Sequence, residues 1–264
     1  MMDGIRAISF DFGNTLVPFS AGPMADVVRR TAEHTAALIG CSVDDFITIW
    51  GEERERQFAE DVPQGREADM DIRVVRVLAR LRGRPQPPPG SRWDNSRIAK
   101  YSTADEVRAV LETYADAFVR TTPVPPGIGP MLERLSRHRR LAVVSNWPLA
   151  IAVEEFLDAA DWRRHLTAVV ISQRVGVIKP HSLIFGVAAA ELGVASGPAI
   201  LHVGDDMDAD VAGAQRLGWR TALVRVEPEE WPLPAARTVP PADAQPDLTI
   251  DSVLDLEAAL DEAQ

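Results

Sequence analysis

Cysteine is all but absent from this chain: Cys41 is the only one in 264 residues. A lone thiol excludes an internal disulfide and has no partner for a metal knuckle, which suits a reducing cytosol. Long apolar runs are missing too. No segment approaches the roughly 20 residues that a membrane helix needs, and the first apolar stretch is short and runs into Asp11, so no secretion signal is read there. Positive charge is in deficit: a formal net charge of -11 leaves no broad cationic surface for nucleic acid or anionic lipid. Internal repeats are lacking, and the one biased stretch is proline-rich. These absences leave a cytoplasmic protein that works on a small ligand, with no nucleic acid and no membrane as partner. Oligomeric state leaves no trace in the sequence.

What is present suits a large buried core. With 46% hydrophobic and 25% charged residues, the chain fits one big domain or a domain carrying an insertion. From about residue 128 onward, β-branched runs alternate with amphipathic stretches. "LAVVSN" (141 to 146), "TAVVIS" (167 to 172), "AILHVGDD" (199 to 206) and "TALVRV" (221 to 226) are the runs, and 149 to 158, 181 to 192 and 208 to 217 are the helical text between them. That βαβ rhythm predicts an α/β fold, a Rossmann-like, doubly wound parallel sheet. "IRAISFD" (5 to 11) reads as one more strand, and "DLTI" (247 to 250) as a last one with a closing helix after Asp251.

Residues 17 to 124 differ, holding helical periodicity and almost no strand text. In "DIRVVRVLARL" (71 to 81), Ile72, Val75, Leu78 and Leu81 form the expected apolar stripe, with the arginines on a solvated face opposite; 25 to 39 and 105 to 118 behave alike. "GRPQPPPGSRW" (83 to 93) is a loop, and "TTPVPPGIG" (121 to 129) a return hinge. The expected division is therefore a core of residues 1 to 16 and 125 to 264, interrupted by a helical cap over 17 to 124.

Open α/β sheets bind ligands at the carboxyl ends of their strands, so the polar residues there can be collected. Asp11 ends the first strand in "AISFDFGNTLVPF", Ser145 and Asn146 end the next, and Asp205 and Asp206 follow "ILHV". Lys179 lies in "GVIKPHSLIF", where Pro180 is placed to open a helix at its first turn. Singly, each is an ordinary cap or turn residue, but four groups converge on one edge. A carboxylate can attack phosphorus, while a hydroxyl, an ammonium and Mg²⁺ share the phosphoryl charge. Mg²⁺ takes oxygen ligands and keeps waters, and "GDDMDAD" (204 to 210) is rich in such oxygens. Of 28 basic residues only Lys100 and Lys179 are lysine, and a compact ammonium suits a crowded phosphate pocket better than a planar fork.

The set resembles the haloacid dehalogenase superfamily, most of whose members are Mg²⁺-dependent phosphohydrolases. "SFDFGNTL" is similar to its first motif, "VVSN" to its second, "VIKP" to its third and "HVGDDMDAD" to its fourth, in order and across the whole core. The resemblance implies Asp11 as nucleophile, Ser145 as phosphoryl ligand and Lys179 as the group steadying both charges. Asp11, the Gly13 carbonyl and Asp205 would hold the metal, with Asp206 and Asp210 ligating it or orienting its waters, in an order left open. Asn14, Thr15, Asn146 and Trp147 complete the candidate substrate side, Trp147 either lining the pocket or packing under the cap. The insert corresponds to the family's first type of cap, which favours small phosphorylated metabolites.

Gly13 departs from the family pattern, Asp-x-Asp-Gly-Thr, whose second Asp protonates the leaving group and activates water. The carbonyl remains and the carboxyl is gone, while Asn14 takes the place of a glycine, a position of positive φ that Asn tolerates. Three expectations follow: a phosphatase that manages without this acid, with His181 or a cap Arg or Tyr as possible helpers; a metal-independent 2-haloacid dehalogenase, which lacks the same Asp; or a non-catalytic binding protein. The set of Asp11, Ser145, Lys179 and Asp205 favours the first.

Overall fold

The four residues of the first strand, Ala7–Phe10, are all buried, because the strand lies in the middle of a sheet covered on both faces. The computed structural model describes residues 4–226 and 244–262. Among the described residues the sheet holds six parallel strands: β1 (Ala7–Phe10), β2 (Arg140–Ser145), β3 (Ala168–Ile171), β4 (Ile200–Gly204), β5 (Arg220–Val224) and β6 (Leu248–Ile250). The order is β3-β2-β1-β4-β5-β6. Successive strands step outward from β1 in one direction and then, from β4, in the other. The reversal between β1 and β4 opens a crevice at their carboxyl ends, where such sheets take ligands.

The helices are α1 (Ala21–Ile39), α2 (Val43–Asp61), α3 (Met70–Leu81), α4 (Asn95–Ile98), α5 (Ala104–Thr121), α6 (Ile128–Ser136), α7 (Ala150–Ala159), α8 (Ser172–Val175), α9 (Ser182–Leu192), α10 (Gly213–Gln215) and α11 (Leu256–Glu262). Strand side chains alternate between faces. Ile8, Phe10, Leu141 and Val143 join Met131, Leu132, Val153 and Phe156 of α6 and α7 on one side, while Ala7, Ala142 and Val144 meet Ile184, Phe185, Ala188 and Leu192 of α9 on the other. The expected doubly wound core is observed.

Helices α1 to α5 are all inserted between β1 and β2, and α5 packs on α7. Local text sets their ends. Ser42 caps α2, Asp69 caps α3, and Thr103 with Glu106 forms a reciprocal capping box on α5. Val27, Phe46, Trp50, Val77, Tyr114 and Phe118 of the insert share one continuous apolar cluster with the core side of α6 and α7.

Three sequence expectations need correction. The buried stripe of α3 is Met70, Val74, Val77 and Leu78, whereas Ile72, Val75 and Leu81 are only partly buried. The arginines expected in solvent are buried at Arg73 and Arg76 because α2 supplies partners: Arg73 bonds Gln57 at 2.8 Å and lies over Trp50, Arg76 pairs with Glu60 at 3.3 Å, and the largely buried Arg80 side chain reaches Glu53 at 3.0 Å. Second, the helical text from 208 is a π-helical turn, Met207–Ala212, running into α10. Third, Pro180 does not open α9; His181 is its N-cap and accepts the Leu183 amide at 3.1 Å, with Ser182 the first helical residue.

Candidate active site at the carboxyl edge of the sheet

Asp11 follows β1 and is buried, its amide bonded to the Val203 carbonyl of β4 at 2.8 Å. The chain then folds back tightly. Asn14 takes φ 56, donates its amide to Val17 O at 2.7 Å and accepts the Phe19 amide on Oδ1 at 3.1 Å. Gly13 has no positive φ; the left-handed residue of this loop is Asn14, standing where the family pattern has glycine. Asn14 thus shapes the loop with its side chain.

Lys179 arrives from the segment between α8 and α9. Asn146, at the end of β2, holds its backbone from both sides: Oδ1 accepts the Lys179 amide at 2.6 Å and Nδ2 donates to the Lys179 carbonyl at 3.1 Å. So fixed, Lys179 Nζ donates to Asp11 Oδ1 at 2.7 Å and to Asp210 Oδ1 at 2.6 Å, all three groups buried. Thr15 donates to Asp205 Oδ1 at 3.3 Å. Asp11, Asp205 and Asp210 each bring a carboxylate oxygen within 4.8 Å of the others. Ser145 is the last residue of β2, the strand paired with β1, and is buried.

Three carboxylates crowd around one lysine that bonds only Asp11 and Asp210, and their protonation responds to the crowding. Burial pushes the Asp205 carboxyl up to about 8, helped by the charges of Asp11 and Asp210. Asp11 is also raised, chiefly by burial and against the pull of Lys179. Asp210 goes the other way, because Lys179 and His202 outweigh its burial and hold it ionised. Lys179 is raised, since the two carboxylates overcome a desolvation that alone would lower it. A divalent cation would relieve this excess of negative charge, and the oxygen-only donor set is what Mg²⁺ accepts.

Gly204 makes the arrangement possible. A β-carbon there would lie 2.2 Å from Asp210 Cγ and 2.3 Å from its Oδ2. Gly204→Ala is therefore expected to drive Asp210 off Lys179, cutting activity by about 10²-fold or more and lowering the melting temperature. Gly186→Ala, with nothing within 4 Å of its β-carbon, is the matched control. A Gly204→Ala protein as active and stable as the control would show that Asp210 does not need this seat.

The remaining sequence candidates take other positions. Asp206 caps the Met207–Ala212 turn, its Oδ1 accepting the Asp208 and Ala209 amides at 2.8 Å; of the pair left open with Asp210, it is Asp210 that joins the carboxylate cluster. Trp147 is buried among Phe12, Phe19 and Phe118, with centroids 5.0 to 5.9 Å away, the packing position of its two alternatives. His181 is exposed at its cap.

Sequence reading missed two features. His202 of β4 is buried and bonds Asp210 Oδ1 at 3.0 Å through Nε2 and Ser9 Oγ at 2.8 Å through Nδ1; a histidine inside the apolar run "ILHV" was the available signal. The insert also clasps the core beside Lys179. Ile178 donates its amide to Gly65 O at 3.0 Å, Met70 to Pro148 O at 3.0 Å, Gln173 Nε2 to Asp69 Oδ1 at 3.0 Å, and Ser172 Oγ to Glu67. Burial raises the Glu67 carboxyl, opposed by that hydroxyl. No spacing rule links residues so far apart in sequence.

Comparison with known proteins places this geometry in a family. The chain is 29% identical over 225 residues to the glyceraldehyde 3-phosphate phosphatase of Methanopyrus kandleri, covering 84% of each. It is 24% identical to the ribulose-1,5-bisphosphate 5-phosphatase of Halopiger xanaduensis, over 82% of this chain and 83% of that one. The fold matches that of the 2-haloacid dehalogenase of Pseudomonas syringae pv. tomato DC3000 with a TM-score of 0.67, at 21% identity, over 98% of this chain and all of that one. The model of the haloacid dehalogenase-like hydrolases matches residues 5–218, which hold the nucleophile candidate, the lysine and the acidic turn. The chain belongs to the haloacid dehalogenase-like hydrolases.

Proposed function

We propose that the chain is a Mg²⁺-dependent phosphohydrolase of small phosphorylated metabolites, acting in the cytoplasm through an aspartyl phosphate on Asp11. The carrying observation is a buried Asp11 held by Lys179 beside two further carboxylates. The names of the two phosphatase relatives agree with this reading. Asp11 Oδ attacks phosphorus, the ester P–O bond breaks, and the alkoxide leaves with a proton from water. Water then attacks phosphorus, the acyl P–O bond breaks, and inorganic phosphate departs with Asp11 restored. Lys179 and the Ser145 hydroxyl neutralise and hold the phosphoryl oxygens. Asp11, the Gly13 carbonyl and Asp205 would hold the metal, with Asp210 fixing Lys179. Bound Mg²⁺ would supply Lewis-acid stabilisation of phosphoryl charge. Residues 17 to 124 act as a cap over a core of 1 to 16 and 125 to 264, and exclude bulk water from the site.

The absent carboxyl at residue 13 is shared with 2-haloacid dehalogenases, which need no metal. The acidic cluster around Asp205 tells against that reading, and the test separates the two. A panel of phosphorylated metabolites should release phosphate only with Mg²⁺, and Asp205→Ala should lose both turnover and the calorimetric binding of Mg²⁺. Halide release from a 2-haloacid in the presence of a chelator would establish the dehalogenase instead.

Asp205 also gives the metal a pH signature. Its carboxyl is raised from 3.8 to about 8 in the folded protein, so the metal-free fold is favoured at low pH and loses that advantage as pH rises between these values. Mg²⁺ should accordingly raise the melting temperature more at pH 8 than at pH 5.5, where it must displace a proton from Asp205. An equal shift at both pH values would remove Asp205 from the metal site.

Without an acid at residue 13 the leaving oxygen has only water to protonate it, so aryl and acyl phosphates should be cleaved far better than alkyl phosphates. Gly13 does not occupy positive φ, so a side chain there meets no left-handed backbone penalty. Gly13→Asp should raise alkyl phosphate turnover by up to about 10²-fold, with little gain for aryl esters. A folded variant with an unchanged dependence on leaving-group pKa would mean that another group already fills the role.

A further inference from the structure

The sheet carries a polar pair where its neighbours are apolar. Ser9 and His202 are register partners on β1 and β4, both buried, on the face packed by α9. The imidazole stands edge-on to Phe185, with centroids 5.2 Å apart at 88°, and lies 6.5 Å from Trp219, so its plane is fixed by rings. Its two nitrogens are both used. Asp210 Oδ1 already accepts from the Lys179 ammonium at 2.6 Å, so Nε2 is the nitrogen that donates to it at 3.0 Å, leaving Nδ1 to accept from the Ser9 hydroxyl at 2.8 Å. The same Asp210 oxygen receives Lys179 Nζ at 2.6 Å, and Oδ2 receives the Asp206 amide at 3.0 Å. A continuous buried chain thus runs Ser9, His202, Asp210, Lys179, Asp11.

The Ser9–His202 bond alone could be replaced by apolar groups of similar shape at little cost, whereas the bond from His202 to the buried Asp210 carboxylate could not. What the pair adds is direction: a carboxylate held at three points cannot rotate, and the ammonium bonded to it cannot swing away from Asp11. We propose that His202, oriented by Ser9, is a positioning residue for the reaction, fixing Asp210 and through it Lys179 and the cation site. This rests on the phosphohydrolase reading only for its kinetic consequence.

The test compares wild type with His202→Leu, His202→Gln and Ser9→Ala, measuring magnesium chloride binding by calorimetry, kcat and KM for one phosphate ester, and thermal melts. His202→Leu should weaken Mg²⁺ binding by about 10 to 100-fold and lower kcat by a similar factor with KM little changed. His202→Gln, which can still donate to Asp210, should recover most of both, and Ser9→Ala should show a smaller loss. In crystal structures the contact between Asp210 and Lys179 should be lost with leucine and kept with glutamine. A purely structural role would lower melting temperatures and leave Mg²⁺ affinity alone. The proposal is overturned by a folded His202→Leu protein with wild-type affinity and an intact contact between Asp210 and Lys179, or by a folded glutamine variant as impaired as the leucine one. Should His202→Leu not fold, wild-type Mg²⁺ affinity in Ser9→Ala overturns it and a several-fold loss supports it. If wild type cleaves no phosphate ester while the affinities and contacts follow the stated order, the phosphohydrolase reading fails and the positioning role stands.

Discussion

Replacement of Lys179 by methionine is expected to abolish turnover, by about 10³-fold or more, and to destabilise the protein in a pH-dependent way. The ammonium is bonded to Asp11 and Asp210, both buried, and removing one partner of a buried ion pair leaves an uncompensated charge at a cost of about 3 to 5 kcal/mol. Here two carboxylates lose their cation at once. The sign follows from protonation. Without Lys179 the folded protein holds protons on Asp11 and Asp210 up to higher pH than the unfolded chain does, so the variant is most stable in acid and loses stability as pH rises. Denaturant titration without metal should show a deficit against wild type that is larger at pH 8 than at pH 5. Lys179→Arg should restore part of the stability and little of the turnover, because a planar guanidinium cannot place one compact charge between two carboxylates. Equal deficits at the two pH values, or turnover above a tenth of wild type in Lys179→Met, would remove the lysine from the centre of the site.

The sequence was most legible where chemistry is carried by short, local text. Strand β1 and its terminal Asp11, β2 with Ser145 and Asn146, and β4 with Asp205 each announce themselves as a mainly apolar run ending in a polar residue, since a parallel strand buried on both faces is dominated by apolar side chains until it leaves the sheet. The role of Asn146 was less legible. Its side chain is spent on the Lys179 backbone, 33 residues on, and such a contact exists only once the loops have met. The α3 arginines failed for a related reason. Periodicity places an arginine on a face but does not say whether that face meets solvent or the acids of another helix, and α2 offers Glu53 and Glu60. His202 was hidden by its surroundings, an apolar strand in which one imidazole reads as filler until its partner Ser9 is seen in register. Local periodicity and strand ends could be read from the chain, whereas contacts between distant segments required the fold.

Asp11→Asn is expected to bring turnover below about 10⁻⁴ of wild type while leaving the fold intact. The amide keeps nearly the same shape, and its oxygen can still accept from Lys179, as Oδ1 does at 2.7 Å. What is lost is the negative charge that makes the carboxylate oxygen nucleophilic toward phosphorus. Because one of three crowded carboxylates is neutralised, the coulombic pressure that Asp11 places on Asp205 falls. The metal-free variant should therefore melt at the same temperature as wild type or higher near pH 8, the opposite of what a disrupted site would give. Beryllium fluoride, which mimics a phosphoryl group on a carboxylate, should raise the melting temperature of the wild-type protein with Mg²⁺ and leave Asp11→Asn unmoved. A single purification of both proteins in parallel controls for a contaminating phosphatase. Turnover near wild type in a variant with a normal melt would assign the nucleophile elsewhere. A beryllium fluoride response equal in the two proteins would show that the anion binds without Asp11, through Lys179 and the metal alone.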